Sequence, residues 1–233
     1  MDFLSLIFQT ILYRPIFNAL ILLYQYLPGH DFGVAIIVLT CIIRLLLYPS
    51  TLKSIKSQKA LQEIQPKIKE IQSKFKKEEQ ARELMALYKN NKINPFSGCL
   101  PLLIQLPMLI ALFLVIKNLS VGEIDGNIIY SFLFHPGKIN PIFLGIMDLT
   151  QAYPYLAIFA GILQFFQSKM MMPKNKSLSK GKNDISQMMQ KQMLYFFPFF
   201  TVLILWNFPS AIGLYWITTI VFSIIQQRLA FKS

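Results

Sequence analysis

Arg44 stands in the run 35–47, which is otherwise free of charge. Arginine keeps its proton in proteins. A cation within a membrane span costs from about 3 kcal/mol upward, so it normally faces protein or water. A nearby carboxylate is the usual remedy, but every Asp and Glu falls in a loop or terminal segment. Asp148 comes nearest to a span, and the charge asymmetry of the loops assigns it to the opposite side of the membrane. Two readings follow. Arg44 lies five residues before Pro49, about 7.5 Å along a helix, so its stem can lift the guanidinium to the headgroups. Alternatively, it lies in a water-filled cavity open to the cytosol, an unpaired cation able to receive an anionic group.

Other polar residues bear on that choice. Thr40 is one helical turn before Arg44, on the same face. Gln105 lies in the second apolar segment, and Gln164 and Gln167 near the cytosolic end of the third. The last segment carries Tyr215, Trp216, Thr218, Thr219, Ser223 and Gln226. Singly, such residues serve as interhelical hydrogen-bonding groups. Together they could line one polar groove in the inner leaflet. No carboxylate pair within a span, Ser/His/Asp or Cys/His set, HExxH or phosphate loop is present. His30 and His135 are isolated, and Cys41 and Cys99 sit in apolar runs without metal-ligand spacing. Gly98 and Gly213 are expected at close helix contacts. The expectation is a binding surface without metal or cofactor, and not an enzyme.

The elements around these residues read as an all-α integral membrane protein. Of 233 residues, 54% are hydrophobic and only 15% charged, against about 25% charged in soluble domains. Five spans are predicted: 32–49, 95–116, 152–167, and the pair 193–227 broken at 207–210. Segment 1–31 holds a helix at 15–27 expected to lie in the outer interface; a first crossing is the alternative. It lacks the basic n-region of a standard signal peptide. Residues 117–151 form a mixed loop with a short apolar piece at 142–147. A Lys-rich loop spans 168–192 and a tail 228–233.

The net charge of +12 would suggest nucleic acid in a soluble domain. Here the basic residues flank apolar spans. Nineteen fall in 50–94, 168–192 and the tail, against Arg14, Lys117 and Lys138 on the other side. The positive-inside rule then puts both Lys-rich loops and the C-terminus in the cytosol and the N-terminus outside. Four of the spans look short, at about 21–26 Å against a core of about 30 Å, which would thin the bilayer around them.

Loop 50–94 carries a seam. Leu61, Ile64, Ile68, Ile71 and Phe75 repeat at three and four, and Ala81, Leu84 and Tyr88 match them. An antiparallel cytosolic helical hairpin turning at 76–79 is expected, with Pro66 in the first turn of its first helix.

Four stretches carry a family resemblance: LMALYKNNKINPFSGCLPLLIQLPMLIALF at 84–113, TCIIRLLLYP at 40–49, LQEIQPKI at 61–68 and FPSAIGLYWITTIVFSIIQQ at 208–227. With them the chain resembles, from about residue 10 onward, the YidC/Oxa family of membrane protein insertases. The resemblance implies a five-helix core in a bacterial plasma membrane, with a groove open to cytosol and lipid. It implies that Arg44 is the groove arginine and Thr40 a substrate-contacting threonine. It also implies a client contact at Tyr215 or Trp216, and a groove glutamine at Gln164 or Gln167. Implied partners are nascent membrane proteins, the Sec translocon, and ribosomes and targeting factors at the hairpin. The rival reading is a small anion transporter with Arg44 as its substrate site, although the repeats and broken helices usual in transporters are missing from the pattern.

Overall fold

The computed structural model describes residues 3–91, 93–94, 100–121, 128–172 and 192–232. The expectations for Cys99, Gly98, Pro95 and most of the Lys-rich loop lie outside them. The chain folds as an all-α membrane bundle with a projecting helical hairpin.

The chain begins with α1 (Phe3–Phe8), a π turn (Gln9–Tyr13) and α2 (Arg14–Tyr26) as one continuous rod. The helix expected at 15–27 therefore starts twelve residues earlier. Pro15 does not break it, because the π turn shifts the register ahead of the ring and Arg14 N–H reaches Gln9 O instead. The stretch Ser5–Tyr26 is long and apolar enough to cross a membrane. Within this rod α2 packs against α3 and α7. Near its start the Tyr13 hydroxyl accepts from Asn118 Nδ2 at 2.7 Å. Its far end leads within five residues into α3 (Phe32–Leu46). Phe17, Leu20 and Ile21 are fully buried beneath it.

Asp31 caps α3, accepting from Val34 N at 3.0 Å. The helix ends at Leu46. The chain bends by 67° into α4 (Tyr48–Glu63), with Pro49 in the first turn of the new helix, where its missing N–H is no loss. Pro66 repeats the device at the start of α5 (Gln65–Lys74). With α6 (Lys77–Asn90), α5 forms the expected antiparallel hairpin. It turns at Phe75–Lys76, earlier than the seam spacing suggests. Ile64 and Ile68 are buried against Leu84, Leu87 and Tyr88, joined by Ile93; burying each isoleucine is worth about 1.5–3 kcal/mol. Ala81, expected in the seam, is exposed, and Leu87 takes that face. Burial pushes the Tyr88 phenol above its usual range, so it stays neutral.

The remaining bundle is α7 (Leu100–Val121), α8 (Pro154–Met170), α9 (Phe197–Trp206) after a π turn (Gln192–Phe196), and α10 (Ser210–Lys232). The core sits where α2, α3, α7, α8 and α10 meet, around Ile36, Val115, Ala160 and Ile212. Helix α9 has ten residues and continues the π turn, so the helical run 192–206 is 15 residues, about 22 Å. Helix α10, expected to be short, runs 23 residues, because the tail at 228–232 continues it instead of leaving the bundle. Between α7 and α8 the apolar piece at 142–147 forms a two-stranded antiparallel hairpin, β1 (Ile142–Phe143) and β2 (Met147–Asp148).

Gly213, expected at a close contact, has ordinary space: an added Cβ would lie 3.8 Å from Leu156 Cβ. Two glycines are tight: Gly33 on α3, whose Cβ would overlap the Phe143 ring, and Gly161 on α8, whose Cβ would overlap Val202 Cγ2 and lie 3.3 Å from Pro198 O of α9. Gly161→Ala is therefore expected to lower stability by about 1–3 kcal/mol through overpacking, with partial recovery on adding Val202→Ala, while Gly213→Ala changes little. Thermal unfolding in one detergent orders the three variants.

Candidate functional site: a polar cleft around Arg44

Four elements converge on Arg44. Helix α3 supplies Thr40, Ile43 and Arg44, one face at a spacing of three to four. The 67° bend then brings α4 back over the same space, adding Ser50, Thr51 and Ser54. Helix α7 adds Gln105 and Met108, and α10 adds Tyr215. The cleft they enclose has an empty volume of about 470 Å³ including its open mouth.

The hydrogen bonds form a chain. Arg44 Nη2 donates to Gln105 Oε1 at 2.8 Å, and Gln105 Nε2 donates to the Tyr215 hydroxyl at 2.8 Å. One amide thus serves both neighbours: its carbonyl faces the cation and its NH₂ faces the phenol. Tyr215 is almost fully buried, whereas Arg44 and Gln105 are half-buried. Among the described residues Arg44 forms no ion pair. A neutral amide therefore orients the guanidinium and leaves its charge uncancelled.

The hydroxyls on the walls are committed to their own helices. Thr40 Oγ1 donates to Ile36 O at 2.6 Å and Thr51 Oγ1 to Leu47 O at 2.5 Å. Each hydroxyl oxygen keeps lone pairs for a further donor. Beyond Thr40 the α3 residues Leu39, Ile36 and Ala35 are buried in the core. The cleft is therefore walled by the first turns of α4 and ends at Thr40 on the side where α3 enters the core.

The structure brings together four residues of the sequence reading, Thr40, Arg44, Gln105 and Tyr215. It does not bring Trp216, Gln164 or Gln167 to the cleft. Trp216 is about 100° around α10 from Tyr215 and packs against the core. Gln164 follows Gly161 by one turn, on the stripe of α8 that meets α9. Gln105 was legible as a polar residue in a span, but its central position was not. Ser50, Thr51 and Ser54 were missed because they follow Pro49; three small hydroxyls in five residues were the available signal.

Compared with known proteins, residues 22–233 match the model of the 60Kd inner membrane protein family. The chain belongs to this family. A Fusobacterium nucleatum relative named membrane protein insertase YidC is 33% identical over 204 residues, covering 87% of each chain. An Oceanobacillus iheyensis protein of the same name is 36% identical over 210 residues, covering 88% of this chain and 76% of that one. A Chlamydia trachomatis protein of that name is 35% identical over 219 residues, and there the matched part is 90% of this chain but 26% of the relative. The chain thus spans about a quarter of the longest-bodied relatives and most of the compact ones. A crystal structure described as an active YidC insertase with its first transmembrane domain resolved superposes with a TM-score of 0.59 at 27% identity. It covers 95% of this chain and 47% of that one. The likeness thus extends over nearly the whole of this chain.

Removing the clamp should be costly. Gln105→Leu strips partners from both Arg44 and Tyr215, at about 1–3 kcal/mol for each buried polar group left unsatisfied. Gln105→Glu keeps an acceptor for each and adds an opposite charge. Thermal unfolding in detergent is expected to place Gln105→Leu clearly below the parent and Gln105→Glu at or above it.

Proposed function

We propose that the chain is a membrane protein insertase and chaperone, which takes client transmembrane segments from the cytosol into the bilayer past the Arg44 cleft. The observation that carries this reading is the uncancelled guanidinium held by Gln105 in a cleft that is walled by α4 and stops at Thr40. The shared name of the relatives supports it. A client's polar tail or loop enters the cleft and exchanges water for Arg44, the oxygens of Thr40 and Thr51, and the Tyr215 hydroxyl. Its apolar segment meanwhile slides along the lipid-facing sides of α3 and α10. Transfer of an apolar helix into lipid is itself favourable, so no nucleotide is required. The short α9 and 15-residue α3 would thin the bilayer where the polar part crosses.

In this reading five helices cross a bacterial inner membrane: α3, α7, α8, α9 and α10. The hairpin and C-terminus face the cytosol and the N-terminus faces outward, as the basic residues favour. The hairpin receives ribosomes and targeting factors, and the Sec translocon is a lateral partner. Gln164, Gln167 and Trp216 would then meet a client only along α8 and α10, away from the cleft. A small anion transporter would need a path onward past Thr40, where Ile36 and Ala35 are packed in the core.

The cation's role is tested with clients that differ only in the translocated tail. Arg44→Lys keeps the charge and loses the planar fork, and is expected to retain much of the insertion activity. Arg44→Ala is expected to fail most on acidic tails and least on short neutral ones. Equal insertion of acidic-tailed clients by the parent and Arg44→Ala, at matched protein levels, would reject the cleft cation as the working part.

A further inference from the structure

The segment 128–144 is stapled to α2 and to Asp31 beyond it. Arg14 Nε donates to Ile128 O at 3.1 Å, and Asn18 both donates to Ile128 O at 2.9 Å and accepts from Tyr130 N at 2.8 Å. Further on, Gln25 Nε2 donates to Phe134 O at 2.6 Å and Asn140 N to the Tyr24 hydroxyl at 3.1 Å. Asp31, already the cap of α3, takes Leu144 N at 2.6 Å and so holds Leu144 at a φ of 51°, a conformation rare for a bulky residue. Polar side chains of α2 and its exit thus engage backbone groups of the segment, while its apolar tips point outward. Phe132 is 71% exposed, Phe134 81%, Leu144 62% and Ile146 84%, next to Tyr26 at 76%.

The level of this patch is fixed by α8. Tyr155, exposed in the first turn of that apolar helix, marks the headgroup boundary where tyrosines gather. Its hydroxyl lies 3.8 Å from Met147 Sδ in β2. The β-hairpin is therefore level with the start of α8 and lies beside its exposed side. Backbone groups satisfied internally and apolar tips turned outward are what a lipid boundary selects.

We propose that α2 and the segment 128–148 form one outer-leaflet anchor, whose tips Phe132, Phe134, Leu144 and Ile146 embed among the acyl chains just below the headgroups. This rests on the bundle crossing the bilayer and not on insertase activity. The full chain, with Cys41 and Cys99 replaced by alanine, would carry a nitroxide at Ile146→Cys, in vesicles of phosphatidylethanolamine and phosphatidylglycerol. Oxygen and a nickel chelate, present on both sides, report depth. Labels at Ile162→Cys on the exposed face of α8 and at Glu79→Cys on the hairpin give the lipid and water references. The expected result is a label at 146 relaxed by oxygen several-fold more than by nickel, at a depth shallower than 162. A label at 146 as open to nickel as the one at 79, with 162 still in lipid, would overturn the anchor alone. Protection at 146 from both reagents would overturn it too, since that marks a protein contact.

Discussion

A guanidinium keeps its charge at any pH a cell meets, so α3 carries a permanent cation into an apolar bundle. What surrounds Arg44 is the answer to that constraint. An acidic partner would have cancelled the charge and closed the site. Gln105 instead offers a dipole: its carbonyl takes one guanidinium nitrogen at 2.8 Å and its NH₂ is anchored on Tyr215 at 2.8 Å. The clamp restricts where the cation points without neutralising it. The rest of the solvation must come from water or from a visiting polar group, so the bundle must stay open on one side.

The bend at Leu47 supplies that opening. A straight continuation of α3 would carry the chain away from the bundle. The 67° turn at Tyr48–Pro49 lays the first turns of α4 beside the cleft, where Ser50, Thr51 and Ser54 give it a polar wall. The Gln62 side chain, donating to Met171 O, ties the far part of α4 to the end of α8. At the opposite end α2 packs on α3 and α7 over a dense apolar core. The two ends therefore differ in kind, one lined by polar side chains and leading to the hairpin, the other packed and apolar.

Much of this was legible in the sequence. A lone arginine in an apolar run, a threonine one turn earlier, and a seam repeating at three and four gave Arg44, Thr40 and the α5–α6 hairpin. Pairings between distant helices were less legible. Tyr215 and Trp216 are adjacent in sequence, yet only one can face α3, and periodicity does not say which. Gln105 and Gln164 look alike as amides in spans; their roles part only because α7 turns one toward the cleft, while Gly161 commits the other's stripe to α9. The β1–β2 hairpin has strands of two residues each, too short to register as an alternation, and it depends on Asp31 far away in the chain.

The claim on which this account turns is that the space at Arg44 is water-filled and continuous with the hairpin side. With Cys41 and Cys99 replaced, Arg44→Cys can be probed in oriented vesicles with a membrane-impermeant thiol reagent. Rapid labelling from the hairpin side, and none from the opposite side, is the predicted result. A thiol that reacts from neither side until detergent is added would contradict the account, because it would put position 44 in a dry, closed bundle.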